Sequence, residues 1–260
     1  MHHTALQFVK SSLAAAAPKG PILILEVGSY DVNGSIREVV HQSPLGSALV
    51  EYVGVDLVEG PGVDIVASGH QFAGPDNHFD IVMSLECFEH NPYWRETLNN
   101  MIRMLKPGGW CIVTCASFGR PEHGTSRMES TSSPGTTERG WNYYRNISMR
   151  EFSTAIPLAE VFDSHVLGFG AAWNDLYFVA RKRGNAANID SAIDIQASWE
   201  SAAHASEPPG IKRRVTYALE RALGSGMFQW LYVTVWRAFK PIRKRPDVPV
   251  ARNRSRSPNE

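Results

Sequence analysis

Short apolar runs alternate with longer segments of helical periodicity along most of this chain of 260 residues. Such alternation is typical of βαβ units and predicts a largely parallel sheet covered by helices on both faces. Strands are predicted at 22–27, 51–57, 63–67, 79–85, 110–116, 160–169 and 175–182, and helices near 34–43, 92–105 and 148–156. The last two strands are expected to form an antiparallel hairpin. The predicted fold is therefore a three-layer α/β/α, Rossmann-like sheet of seven strands, mostly parallel with an antiparallel last strand.

Changes in composition divide the chain into four predicted parts. Residues 1–20 are expected to form a helix at the edge of the domain, and residues 21–183 form the domain itself. The stretch 117–147 is rich in glycine, serine, threonine and arginine, and a segment of that length without apolar periodicity predicts a substrate-binding insertion. Residues 184–239 are predicted to be a helical appendage. Residues 240–260 carry seven basic and two acidic side chains, which predicts a disordered tail.

Bulk charge and cysteine content narrow the choice of partner. Lysine and arginine total 26, as do aspartate and glutamate, so no overall field attracts nucleic acid, and such a partner is not expected. The three cysteines have no metal-binding spacing and are expected to be reduced in a cytoplasmic protein. No apolar run approaches the roughly 20 residues needed to cross a bilayer.

Polar and small residues stand where the predicted parallel strands end. Glu26, Gly28, Asp56 and Glu86 occupy such ends, and ligands of open α/β sheets bind along that edge. Glycine lets the backbone approach a ligand closely, and an acidic residue after the second strand accepts both hydroxyls of a ribose. The alternative is the dinucleotide-binding fold of a nicotinamide-dependent oxidoreductase. Against it, no GxGxxG turn precedes the first domain helix.

Later motifs separate these two alternatives. In chain order, ILEVGS, VGVDL, VDIVASGHQF, FDIVMSLECFEHNPYW and MLKPGGWCIVT resemble the motifs of class I S-adenosylmethionine-dependent methyltransferases, type 11 group. The resemblance covers roughly residues 20–182 and implies S-adenosyl-L-methionine as the cofactor. It also implies a cofactor pocket made of Glu26, Gly28, Ser29, Tyr30, Gly34, Asp56, Leu57, Ser68, Gly69, His70, Ser84, Leu85 and Glu86.

The resemblance assigns roles within that pocket, and the chain departs from the family pattern twice. Asp56 is expected to bind the ribose hydroxyls, and Leu57 is expected to flank the adenine. Tyr30 stands where many members have a second glycine, and Gly34 comes two positions late, which predicts a longer loop partly closed by Tyr30. Ser68 replaces a common aspartate, so adenine recognition is expected to rely more on backbone groups.

The acceptor side is predicted from residues that suit transfer to a hydroxyl. Such an acceptor profits from a base, and histidine has a suitable pKa. His90 follows the fourth strand and His123 lies in the insertion; the alternatives are a histidine that braces its loop and a solvated loop histidine, respectively. Tyr144 and Arg145, beside Trp141, are side chains that could bind a saccharide; the alternative is that they pack within the insertion at 117–147. No spacing of side chains demands a metal, and none is predicted.

These residues favour O-methylation of a saccharide or another small polar hydroxyl acceptor. A lipid or phenolic acceptor, or an inactive cofactor-binding protein of the same fold, is the alternative. The segment 227–245 places tryptophans and aliphatic side chains beside a cationic cluster, as in helices that bind a membrane surface. Packing of this segment on the domain or on a second copy, as a homodimer, is the other interpretation.

Overall fold

The computed structural model describes residues 3–16, 20–42, 50–170, 172–184 and 210–239. Its strands are β1 (Ile22–Val27), β2 (Val50–Asp56), β3 (Ile65–Val66), β4 (Phe79–Leu85), β5 (Leu105–Ala116), β6 (Phe162–Gly170) and β7 (Asp175–Lys182). Its helices are α1 (His3–Ala16), α2 (Ile36–Gln42), α3 (Trp94–Met104), α4 (Pro134–Glu138), α5 (Met149–Ser153), α6 (Leu158–Val161), α7 (Ile211–Leu223) and α8 (Ser225–Phe239). The sheet order is β3-β2-β1-β4-β5-β7-β6.

Strand direction confirms the predicted fold class. The pairs β3–β2, β2–β1, β1–β4 and β4–β5 are parallel, whereas β7 runs antiparallel to both β5 and β6. The order reverses between β1 and β4, which opens a crevice at the carboxyl ends of these two strands. That crevice is where the residues predicted from the strand ends come together.

Two apolar cores, one on each face of the sheet, hold the layers together. Every residue of β4 is buried, because helices cover both faces of this central strand. One core joins the sheet to α3 and α5 through stacked Trp94 and Phe152. The other joins it to α1 and α2, where the Phe8 ring lies 5.0 Å from that of Tyr177. The N-terminal helix therefore covers one face of the sheet.

Several predicted boundaries shift in the structure. The strands at 22–27, 79–85 and 175–182 agree with the prediction. The third strand shortens to two residues, and the fifth lengthens to twelve. The helix before it ends at Met104, and the segment 106–109 belongs to β5. Lys106 lies 2.9 Å from both carboxylate oxygens of Asp80, which holds the start of the extended strand against β4.

The C-terminal helices pack on the insertion. Glu220 of α7 is wholly buried and accepts hydrogen bonds from the Asn146 amide (2.7 Å) and the Gly119 backbone N–H. Gln229 of α8 accepts one from the Glu122 backbone N–H at 2.8 Å. Helices α7 and α8 are thus hydrogen-bonded to the insertion and pack against it. The predicted basic tail at 240–260 and the appendage residues 185–209 lie outside the described residues.

Candidate active site

A cavity of about 700 Å³ opens at the carboxyl ends of β1 and β4. The loop between β1 and α2 forms one side, and the insertion with α7 and α8 forms the other. Its lining includes Glu26, Gly28, Ser29, Tyr30, Gly34, Leu85, Glu86, His90, Arg120, His123, Trp173, Lys212, Tyr232 and Trp236. A second cavity of about 80 Å³ extends toward β2 and is lined by residues that include Asp56, Leu57, Ser68, Gly69, Ser133, Gly135, Thr136 and Trp141. Gly28, Tyr30, Glu86 and His90 line both cavities.

Gly28 is required where the chain leaves β1. Its φ of +85° is a conformation that side chains disfavour, and a Cβ atom would lie 2.5 Å from the Cys87 side chain. Its backbone N–H donates to the Val55 carbonyl at 2.8 Å. The absence of a side chain therefore lets this loop pass closely between the ends of β2 and β4.

The loop after Gly28 has the extended form that the delayed glycine predicted. It runs to Ser35, immediately before α2, and the Gly34 N–H donates to an Asp31 carboxylate oxygen at 2.6 Å. Tyr30 turns its ring under Gly60, where a Cβ atom would lie 2.2 Å from the ring. Tyr30 therefore lines the larger cavity and the smaller one where they adjoin.

Asp56 ends β2 at the wall of the smaller cavity. Its carboxylate accepts hydrogen bonds from the backbone N–H groups of Tyr30 (3.0 Å) and Leu57 (2.6 Å). Burial raises the pKa of this carboxyl, and the two backbone bonds partly oppose the rise. Helix α4 covers the site, since a Cβ atom on Gly135 would lie 3.0 Å from Asp56, and Arg139 donates to the Leu57 carbonyl.

Glu26 brings a buried carboxyl to the wall of the larger cavity. Only 7% of it is exposed, and the Tyr52 hydroxyl donates to it at 2.7 Å. Burial raises its pKa to about 7, while the Tyr52 hydrogen bond and the charge of Arg37 oppose the rise. This group consequently changes charge near neutral pH.

Two residues of the predicted cofactor set lie behind the cavity walls. Ser84 is wholly buried and donates to the Val27 carbonyl at 2.8 Å, which ties β4 to β1. His70 lies 2.7 Å from the Ser68 hydroxyl and stacks on Tyr93 with ring centroids 4.2 Å apart. Neither residue lines the two cavities, whereas the other predicted members do.

The predicted acceptor residues also separate into two groups. His90 and His123 line the larger cavity, with ring centroids 4.9 Å apart. Tyr144 lies behind them, with ring centroids 5.4 Å from His90 and 5.0 Å from His123. Arg145 is exposed and pairs with Glu151, while its backbone N–H donates to the Glu89 carbonyl at 2.8 Å. The histidines therefore face the cavity, and the other two residues support their surroundings.

Several lining residues were not predicted from the sequence. Arg120 follows β5 and lies 3.2 Å from Asp175 and 3.9 Å from Glu86, and these carboxylates raise its pKa although burial lowers it. Its place just after a parallel strand was the feature that could have identified it. No motif marks Lys212 or Trp236, because the long segment 185–209 separates them from the domain in sequence.

The family is decided by sequence. The sequence model of the family described as "Methyltransferase domain" matches residues 1–150, more than half of the chain. The chain belongs to this methyltransferase family. It is a class I S-adenosylmethionine-dependent methyltransferase, and S-adenosyl-L-methionine is its cofactor, as the motifs implied. No curated protein matches this methyltransferase.

Solved structures resemble the methyltransferase in fold. A phosphoethanolamine N-methyltransferase 2 of Haemonchus contortus is 15% identical over 68% of this chain and 52% of its own, with a TM-score of 0.48. A SAM-dependent methyltransferase of Archaeoglobus fulgidus is 14% identical, covering 68% and 94%, with a TM-score of 0.48. The 1,6-didemethyltoxoflavin-N1-methyltransferase of Burkholderia thailandensis is 17% identical, covering 68% and 78%, with a TM-score of 0.45.

The residues present fit the cofactor of this family. The close passage of backbone at Gly28 and the carboxylate of Asp56 suit the approach and the ribose hydroxyls of an adenosyl group. The carboxyl of Glu26 suits a ligand that carries positive charge. The two cavities meet at Gly28 and Tyr30, so one elongated ligand would contact both.

Proposed function

We propose that this methyltransferase transfers the methyl group to a hydroxyl of a saccharide or another small polar acceptor in the cytoplasm. The observation that carries the proposal is the composition of the larger cavity. Opposite the β1–α2 loop, its wall combines the aromatic rings of Trp173 and Trp236 with Lys212, His90 and His123. Aromatic faces and hydrogen-bond donors suit a polyhydroxylated ligand, and the lysine suits an anionic substituent.

Within this proposal the cofactor spans both cavities. Glu26, Gly28 and Ser29 would hold its methionine and ribose portion at the larger cavity. Asp56 would accept the ribose hydroxyls. Leu57, Ser68 and Gly69 would border the adenine in the smaller cavity. Leu85 and Glu86 would then lie nearest the acceptor side.

S-adenosylmethionine supplies an electrophilic methyl group on a sulfonium sulfur, so the protein must orient the acceptor oxygen and receive its proton. His90 and His123 line the larger cavity, where they would orient the acceptor oxygen and receive its proton. The pKa of His90 lies well below its ordinary value because the ring is buried and faces His123 and Arg120. His90 is therefore a neutral imidazole with a free electron pair but a weakened base, and His123 is the alternative base.

Transfer of a labelled methyl group to a panel of sugars, lipids and phenols tests the proposal. We expect turnover of a hydroxylated sugar and a loss of roughly 100-fold or more in His90→Ala or His123→Ala, the usual size of a general-base contribution. His165→Ala, on the exposed side of β6, is the matched control. Turnover of phenols or lipids alone would contradict the saccharide acceptor. Cofactor binding without turnover of any class would favour an inactive cofactor-binding protein.

A second proposal concerns the surface of α8. Met227, Trp230 and Val235 are exposed on this helix, with Trp230 at 63%. Among the described residues, no helix is long and apolar enough to cross a membrane. We propose that this surface contacts a membrane peripherally, as an interfacial helix does. Co-sedimentation with anionic vesicles should fall in Trp230→Glu; unchanged sedimentation would contradict it, and a halved mass in solution would indicate a homodimer interface instead.

A further inference from the structure

Three side chains with metal-binding atoms meet at the wall of the larger cavity. Glu89 and His90 lie in the 3-10 turn Phe88–His90 that follows β4, and His123 lies in the insertion. One ligand atom from each falls within 4.8 Å of the others. The loop reaches the turn because residue 124 is glycine, where a Cβ atom would lie 2.6 Å from the His90 ring.

Glu89 and His90 carry buried polar atoms that have no hydrogen-bond partner among the described residues. Glu89 is wholly buried and His90 is 4% exposed. Across the part of the chain that the structure describes, neither carboxylate oxygen of Glu89 nor His90 Nδ1 has a hydrogen-bond partner. Leaving a buried carboxylate without a partner costs several kcal/mol by a rough estimate. Such a group needs a compensating ligand.

The surroundings of one ring nitrogen are defined in each histidine. His90 Nδ1 is buried and has no hydrogen-bond partner among the described residues. His123 Nδ1 lies 3.1 Å from the Pro121 carbonyl, which only accepts, so Nδ1 carries the proton. A ring N–H held by a backbone carbonyl, as in His123, is a usual arrangement of a histidine that binds metal.

We propose that Glu89, His90 and His123 bind one divalent transition-metal ion at the cavity wall. Two imidazoles and one carboxylate suit Mn²⁺, Fe²⁺, Co²⁺ or Zn²⁺, and such a triad leaves coordination positions open. Ligand atoms at roughly 2.0–2.2 Å from one ion lie about 3–4 Å apart. This separation is compatible with the limit of 4.8 Å within which the three ligand atoms lie here.

The open positions would face the acceptor, because His90 and His123 line the larger cavity. A hydroxyl oxygen bound there would be held in place and made more acidic by the ion. The two histidines would then be ligands rather than bases. This last role rests on the proposed O-methylation, whereas the metal site itself does not.

Metal binding is tested directly on the full chain, without any acceptor. After chelation and dialysis, Co²⁺ and Mn²⁺ are titrated, with calorimetry and the visible absorption of Co²⁺ as readouts. We expect one ion per chain. Glu89→Gln and His123→Asn should each weaken binding by about 100-fold or more, since even outer-shell partners contribute 10–100-fold. Glu160→Gln and His165→Asn, both exposed, are the matched controls and should bind as the parent does.

Failure of the site and failure of the proposed function give different results. Absence of a stoichiometric ion, or equal affinity in Glu89→Gln and His123→Asn, would overturn the metal site and leave the acceptor proposal untouched. A bound ion lost in both variants, without turnover of any sugar, would support the site and overturn the acceptor. If Glu89→Gln does not fold, His123→Asn on the partly exposed loop decides alone.

Discussion

We expect the buried carboxyl of Glu26 to lower the free energy of unfolding of the cofactor-free protein as the pH rises. The pKa of this carboxyl rises from its ordinary 4.5 to about 7, chiefly because the group is buried. Glu26→Gln removes the titration but keeps an oxygen that accepts the hydrogen bond of Tyr52. The variant therefore isolates the free energy of charging Glu26 from that of its packing.

The sign of the effect follows from proton linkage. Below pH 4.5 the carboxyl is protonated in both states and contributes no pH dependence. Between pH 4.5 and 7 it ionises in the unfolded chain but stays protonated in the folded one, so the folded state loses about 1.4 kcal/mol per pH unit. Above pH 7 the full cost of about 3 kcal/mol remains.

The assay is urea unfolding without cofactor at pH 5, 6, 7 and 8, followed by tryptophan fluorescence. We expect Glu26→Gln to gain about 2.5 to 3 kcal/mol relative to the parent chain between pH 5 and pH 8. Glu51→Gln, exposed on β2, is the control and should show no such gain. A difference between Glu26→Gln and the parent that stays constant across this range would refute the argument.

Three further variants test the site and its wall. Gly28→Ala combines a positive φ with a contact at Cys87 and should lower the free energy of unfolding by about 2–4 kcal/mol, measured by urea unfolding. Asp56→Asn should weaken S-adenosylmethionine binding by about tenfold or more in calorimetry, since a charge-assisted hydrogen bond contributes about 1.5–3 kcal/mol; it should also lower the melting temperature, because the amide keeps only one of the two oxygens that accept from Tyr30 and Leu57. Unchanged affinity in the folded variant would contradict the ribose role of Asp56. Glu220→Ala removes one of the two acceptors of the Asn146 amide and the acceptor of the Gly119 N–H, and should cost about 3 kcal/mol. Proteolysis near residue 210 should accelerate; equal protease resistance would show that α7 is held otherwise.

The parallel part of the fold could be predicted because its strands are buried on both faces. The fully apolar runs of β1 and β4 leave little freedom in assigning their limits. The start of β5 could not be predicted, since Lys106 to Gly109 has the composition of a helix stop. Its pairing depends on the contact between Lys106 and Asp80, which are separated by 26 positions.

The candidate site shows a similar division between local and distant information. Gly28 directly follows β1 and Asp56 is the last residue of β2, so their place at the crevice was predictable from the sequence. The ring of His70, by contrast, turns to Tyr93, which no local pattern indicates. The sequence does not indicate a role for Glu89, because the insertion that contacts its turn is distant in sequence.

Helix α4 has a consequence for the order in which ligands bind. The cavity beneath it measures about 80 Å³, well below the roughly 300 Å³ at which small-molecule sites begin. Full entry of an adenine ring into this cavity would therefore require α4 to shift, and α4 belongs to the same insertion that carries His123. Cofactor and acceptor would then be thermodynamically coupled, each changing the affinity of the other by the same factor. Binding at one site would then affect binding at the other through the position of the insertion.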